Sequence, residues 1–119
     1  MRGYYYAWST LAASLMLATA CGPSTGSTCS STEDCPENQA CLTEFKGGYC
    51  GIKDCADDAD CPDDALCVKH EGTNYCFLGC QDKTQCNAQR PVEQEANCSS
   101  NIERVGASTA KACVPPAGV

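Results

Sequence analysis

Apolar positions in this chain fall into two kinds of run. Residues 7–18 form a single apolar stretch, broken only by Ser9, Thr10 and Ser14, and no later segment has a convincing helical period. Beyond it the apolar residues come in short paired runs. Ala40-Cys41-Leu42-Thr43-Glu44-Phe45 and Tyr49-Cys50-Gly51-Ile52 flank Lys46-Gly47-Gly48, and Ala65-Leu66-Cys67-Val68-Lys69-His70 and Tyr75-Cys76-Phe77 flank Glu71-Gly72-Thr73-Asn74. Each pair predicts a small β-hairpin around a glycine-bearing turn.

Cysteines divide the same stretch into copies. Cys29, Cys35, Cys41 and Cys50 recur 26 residues later as Cys55, Cys61, Cys67 and Cys76. A fixed period marks a small module copied in tandem. Cys80 and Cys86 keep the first spacing, after which both remaining gaps are six residues longer, to Cys98 and Cys113. This reads as the same module with longer loops, its residues 101–107 lying in an extended hairpin or at its tip. The expected fold class is small, disulfide-rich and loop-dominated with short β-hairpins. Module 1 spans residues 29–54, module 2 residues 55–79, and a divergent module 3 with its tail residues 80–119. Four cysteines allow three pairings and the spacing chooses none of them. The working expectation is first to third and second to fourth, closed within each module like beads on a string. Asp34-Cys35-Pro36 and Asp60-Cys61-Pro62 repeat as turn residues.

The apolar run at residues 7–18 follows Arg2 and is too short for a bilayer of about 30 Å, which takes about 20 residues, so residues 1–20 are expected to be a signal peptide. Leu17-Ala18-Thr19-Ala20-Cys21 resembles a bacterial lipobox, while Ala18-Thr19-Ala20 also fits ordinary signal peptidase. Parity favours the first: thirteen cysteines leave one over in an oxidised chain, and lipidating Cys21 leaves an even number. The resemblance to bacterial lipoproteins implies a diacylglyceryl, N-acylated Cys21 bearing palmitate-type chains. It implies membrane lipid as a partner without a transmembrane helix. Gly22, where enteric bacteria place an aspartate for inner-membrane retention, points to the outer membrane. Residues 21–28 are then a lipidated cysteine and a flexible tether with a reach of roughly 15 Å.

Removing the signal leaves Phe45, Tyr49, Tyr75 and Phe77 as the aromatics of the mature chain. They are too few for an ordinary core, so disulfides, at roughly 2–4 kcal/mol each, must supply the difference in an oxidising compartment. The net charge of −7 disfavours nucleic acid as a partner.

Cys-x5-Cys-Pro with a preceding Asp, a third cysteine and Tyr-Cys resembles the N-terminal cysteine-rich domain of Dickkopf proteins and EGF-like repeats. It is also similar to the tandem cysteine-rich lipoproteins of myxobacteria. The resemblance covers residues 29–113 and implies an extracytoplasmic interaction module with an unidentified protein or envelope partner; no receptor-contacting residue carries over.

Catalytic patterns are missing. His70 is the single histidine, read as an exposed structural side chain, and neither Gly-x-Ser-x-Gly nor a phosphate-binding glycine loop occurs. Thiolate zinc sites and thioredoxin-like chemistry lack their Cys-x2-Cys pairs. No cofactor is expected. The weak metal alternative is calcium at Asp57, Asp58, Asp60, Asp63 and Asp64, which crowd one loop, although a solvated acidic face is the simpler reading. A secreted protease inhibitor is the other alternative, presenting residues 46–48 or 104–108. The expected function is therefore a lipid-anchored binding or envelope-structural module without catalysis.

Overall fold

The computed structural model describes residues 22–118, together with Gly3. The expectations of a signal peptide over residues 1–20 and of lipidation at Cys21 rest on residues outside that description. No helix among the described residues is long and apolar enough to cross a membrane.

Six disulfides join first to third and second to fourth cysteine in each module. They are Cys29–Cys41, Cys35–Cys50, Cys55–Cys67, Cys61–Cys76, Cys80–Cys98 and Cys86–Cys113. The sequence separations, 12 and 15 in modules 1 and 2, grow to 18 and 27 in module 3.

The five residues between the first two cysteines make the same short turn three times. Thr32–Asp34 and Asp58–Asp60 are 3-10 turns, and Lys83–Cys86 is a single helical turn, α1. In each, the residue before the second cysteine reaches back to free backbone N–H groups at the start of the turn. Asp34 accepts from Ser30 and Ser31, Asp60 from Ala56, and Gln85 from Gln81 and Asp82. Asp82 in turn accepts from the N–H of Gln85, which closes a capping box. The repeated aspartate is thus a helix-start cap that points backwards, rather than a turn residue bonding forwards.

The strands are β1 (Ala40–Cys41), β2 (Cys50–Lys53), β3 (Ala65–His70), β4 (Thr73–Cys80), β5 (Asn97–Ser99), β6 (Glu103–Arg104) and β7 (Lys111–Val114). All pair antiparallel in the order β1-β2-β4-β3-β6, with β7 joining β4 to β5. The β3–β4 hairpin closes tightly, with His70 opposite Thr73 and positive φ at Glu71 and Gly72. This is the two-residue turn whose backbone matches strand twist.

One sheet therefore runs through all three modules, and this corrects the beads-on-a-string picture. Module 1 contributes β2 to module 2's β4, and module 3 contributes β6 to β3 and β7 to β4. Residues 101–107 are likewise not a projecting hairpin tip, because Glu103 and Arg104 leave the β5–β7 hairpin and pair with Lys69 and Val68.

The core explains the fusion. Leu42, Phe45 and Tyr49 from module 1, Leu66, Val68, Tyr75 and Phe77 from module 2, and Ala112 from module 3 form a single buried cluster. All four aromatics of residues 22–118 meet there; Phe45 lies edge-on to Tyr75 at 5.0 Å and Tyr75 stacks on Phe77 at 5.4 Å. No module owns enough apolar surface to bury alone, so the three pool what they have. Tyr49 is fully buried. Its hydroxyl donates to the Cys113 carbonyl at 3.3 Å and accepts from the Leu78 N–H at 2.9 Å, linking the three modules through one oxygen.

Candidate functional site

The segment expected to be a flexible tether is docked. Thr25, Gly26 and Ser27 are buried, and this stretch adds to the β2 end of the sheet through Gly26 N–H to Cys50 O at 2.8 Å and Cys50 N–H to Ser27 O at 3.0 Å. Side chains from all three modules hold it. Gln39 donates to Thr25 Oγ1 at 2.8 Å, Thr25 donates to Asp64 at 3.2 Å, and Ser27 donates to Gln89 Oε1 at 2.9 Å. Gln89 Nε2 reaches on to the carbonyl of Gly22 at 3.2 Å. Small polar residues permit flexibility, but here their backbone finds partners that composition does not reveal.

Arg90 locks this arrangement. It is 7 % exposed, and its guanidinium donates to four backbone carbonyls: Gln94 at 2.7 Å, Gly48 at 2.8 Å, Lys46 at 2.8 Å and Gly26 at 3.2 Å. It also lies over the Tyr49 ring, 5.6 Å from the centroid. Burial pulls its pKa downwards, and the hydrogen bonds satisfy the charge without a carboxylate. The residues carrying it, 87–96, occupy the first enlarged gap of module 3, so that insertion serves to clasp the N-terminal segment onto module 1. Sequence reasoning missed Arg90. An arginine in a loop, next to Pro91 and without a spaced acidic partner, has no periodic signature.

The acidic loop does not gather into a calcium site. Asp57 caps the N–H of Asp58. Asp58 accepts from the N–H groups of Cys67 at 2.9 Å and Ser108 at 3.0 Å. Asp60 serves Ala56 and Asp64 serves Thr25, while Asp63 is exposed. Among the described residues, the only groups of three candidate ligand atoms close enough to share an ion are cysteine sulfurs already held in disulfides. Asp57, Asp58 and Asp60 each serve backbone N–H groups and Asp64 a hydroxyl, so the calcium candidates Asp57, Asp58, Asp60, Asp63 and Asp64 do not converge on one point in this structure.

The two inhibitor-like loops are also tied down. Lys46 donates its N–H to Pro116 and its carbonyl accepts from Arg90; Gly48 is buried. Arg104 folds its guanidinium back onto the carbonyls of Thr109 and Ala110.

His70 is half-buried rather than exposed, with its ring 6.0 Å from Phe45 and 5.8 Å from Phe77. It lines a half-open cleft of about 260 Å³ beside Lys69, Glu71, Asn97 and Asn101, over Ile102 and Val114. The cleft exists because module 3 lays β6 beside β3, and its amides and carboxylates can hydrogen-bond a small polar group.

At the edge of the core, Glu44 accepts from Lys53 at 3.1 Å and from the Tyr75 hydroxyl at 3.0 Å. Burial pushes the Glu44 carboxyl up, but the hydrogen bonds from Lys53, its own backbone and Tyr75 outweigh it and hold the pKa below the ordinary value. Burial raises the Tyr75 phenol, and its bond to Glu44 adds to the shift.

Together these features define a small disulfide-rich protein of three four-cysteine modules fused through one sheet, and six disulfides favour an extracellular or cell-envelope location. No protein-family model, curated protein or solved structure matches the chain.

Proposed function

We propose that this is an extracytoplasmic lipoprotein, anchored through acylated Cys21, that acts by contact as a binding or envelope-structural module and carries out no catalysis. The observation that carries the reading is the disulfide inventory. The twelve cysteines from Cys29 to Cys113 pair among themselves, so the odd one in the count is the cysteine that ends Leu17-Ala18-Thr19-Ala20-Cys21. Several acyl chains at about 0.8 kcal/mol per buried methylene anchor firmly. The outer membrane is the favoured site because Gly22 follows the cysteine.

The receptor-type role implied by the Dickkopf-like and EGF-like resemblance enters here as a proposal for the exposed loops and the His70 cleft. Intact mass of the protein from its native membrane, before and after reduction and alkylation, tests the anchor. The expected product begins at an acylated Cys21 and takes up twelve alkyl groups only after reduction. An unacylated chain, or thiols open before reduction, would overturn the reading. Affinity capture from the native envelope then separates the two roles: a stoichiometric partner supports recognition, and none supports a structural role.

A further inference from the structure

We propose that the end of the molecule where residues 22–28 meet residues 87–92 lies directly on the lipid surface, so that the anchored protein stands in one fixed orientation. The inference rests on the lipoprotein reading above and adds to it a face and a direction. Its basis is the lack of slack between the anchor and the folded body. Gly22 follows Cys21 in the chain, and neighbouring Cα atoms are about 3.8 Å apart. The Gly22 carbonyl is already held by Gln89 at 3.2 Å, and Ser27 by the same side chain at 2.9 Å. Thr28 Oγ1 also donates to the Gln89 carbonyl. Acyl chains on Cys21 therefore bring the loop bearing Gln89 to the headgroups with them.

The surface at this end suits that position. The chain carries fifteen acidic residues, yet residues 22–32 and 83–92 contain none of them, and these are the two stretches that meet at Gln89. Without Arg2 the body sets fifteen acidic against seven basic residues and is repelled by anionic headgroups; these two acid-free stretches lower the acid density at this end, with Glu33, Asp82 and Glu93 at their borders and Asp64 engaged as acceptor from Thr25. The same loop also presents Pro91 and Val92, and Val92 is 80 % exposed, the most exposed large apolar side chain among the described residues. Apolar side chains at a membrane interface lie about 5–10 Å into the headgroup and acyl boundary.

The mature chain offers a clean optical test, because the sequence's single tryptophan, Trp8, precedes the cleavage site and leaves none behind. Val92→Trp and, separately, Val105→Trp each create a single fluorophore. Val105 follows the edge strand β6, across β4 and β3 from β2, roughly 14 Å at ordinary strand spacing. Each acylated protein is reconstituted into phosphatidylethanolamine and phosphatidylglycerol vesicles containing lipid brominated high on its acyl chains. The expected result is a blue-shifted Val92→Trp emission that bromolipid quenches, beside a Val105→Trp emission that only aqueous acrylamide quenches. Glu93→Trp repeats the readout should the first variant fail to form its six disulfides. Acylated protein with both fluorophores equally open to acrylamide and untouched by bromolipid overturns the fixed orientation while leaving the anchor intact. A mass lacking the acyl groups instead overturns the lipoprotein reading itself.

Discussion

Replacing Arg90 with methionine keeps much of the buried stem but removes every donor of the guanidinium. Four carbonyls lose their partner. Lys46 is exposed and Gln94 half-buried, so their carbonyls can turn to water, whereas Gly26 and Gly48 are buried and theirs cannot. Two buried acceptors at about 1–3 kcal/mol each, with about 1 kcal/mol for the contact over Tyr49, set the gross loss. Relief from burying a charge returns part of it, so the net destabilisation should be about 2–4 kcal/mol. That is a large share of a typical stability of about 5–15 kcal/mol. Guanidinium unfolding with the disulfides intact measures the total, and amide exchange locates it. The N–H groups of Gly26 and Cys50, which bond across the docked segment, should lose protection while those of β3 and β4 keep it. Arg90→Lys retains the charge but cannot span four acceptors in one plane, and should recover less than half of the loss. A methionine variant within about 0.5 kcal/mol of the parent, with Gly26 and Cys50 still protected, would refute the clasp.

Two glycines with similar backbone should respond very differently to alanine. Gly48 (φ 72°) faces the Cys29 carbonyl and the sulfurs of the Cys29–Cys41 bridge, where a Cβ collides; Gly48→Ala should cost about 3 kcal/mol or more. Gly72 (φ 84°) has open space around it, so Gly72→Ala should cost only the backbone strain of about 1 kcal/mol in the same denaturation assay. Burial raises the Tyr49 phenol far above its ordinary range. The stability linked to a raised pKa is complete below the unfolded value near 10 and is lost as pH rises above it. Phenolate absorbance should therefore show Tyr49 ionising only with alkaline unfolding, and early ionisation would count against its burial. Glu44 has a lowered pKa, so its contribution is present above the ordinary carboxylate value and fades as pH falls through the depressed one. Glu44→Gln should flatten the decline in thermal midpoint between neutral and acidic pH, and an unchanged slope would show that Lys53 and Tyr75 do not favour its charged form.

The modules were readable because cysteines advertise spacing directly, and the hairpins because Gly47, Gly48 and Gly72 sit between β-favouring runs. The glycine turn in module 2 came out tighter than the four-residue loop expected, since strand pairing extends to His70 and Thr73. What stayed hidden was the assembly of the modules. It depends on single groups acting across long separations: the Tyr49 hydroxyl on Cys113, Asp58 on Ser108, and Arg90 on Gly26. Such contacts have no period, and the composition of residues 22–28 is the same whether the segment hangs free or is clasped. The longer gaps of module 3 were visible as insertions. That one supplies a clasp and the other an edge strand follows only from their three-dimensional partners.

Self-closed bridges in a clasped molecule set an order of events during export. Each pair of disulfides spans residues that emerge together, and no bridge waits for a later module, so oxidation can proceed from the N-terminus as the chain threads outward. Arg90 arrives last but for the final hairpin. Until then Gly26 and the residues before it lack the Arg90 clasp, so under the proposed anchoring an enzyme acylating Cys21 would meet an open strand. Once residues 87–94 have crossed, the door shuts. A secretion intermediate arrested before Arg90 should be acylated and sensitive to protease across residues 22–28, and the completed chain should resist cleavage there; equal sensitivity of the two would contradict this order.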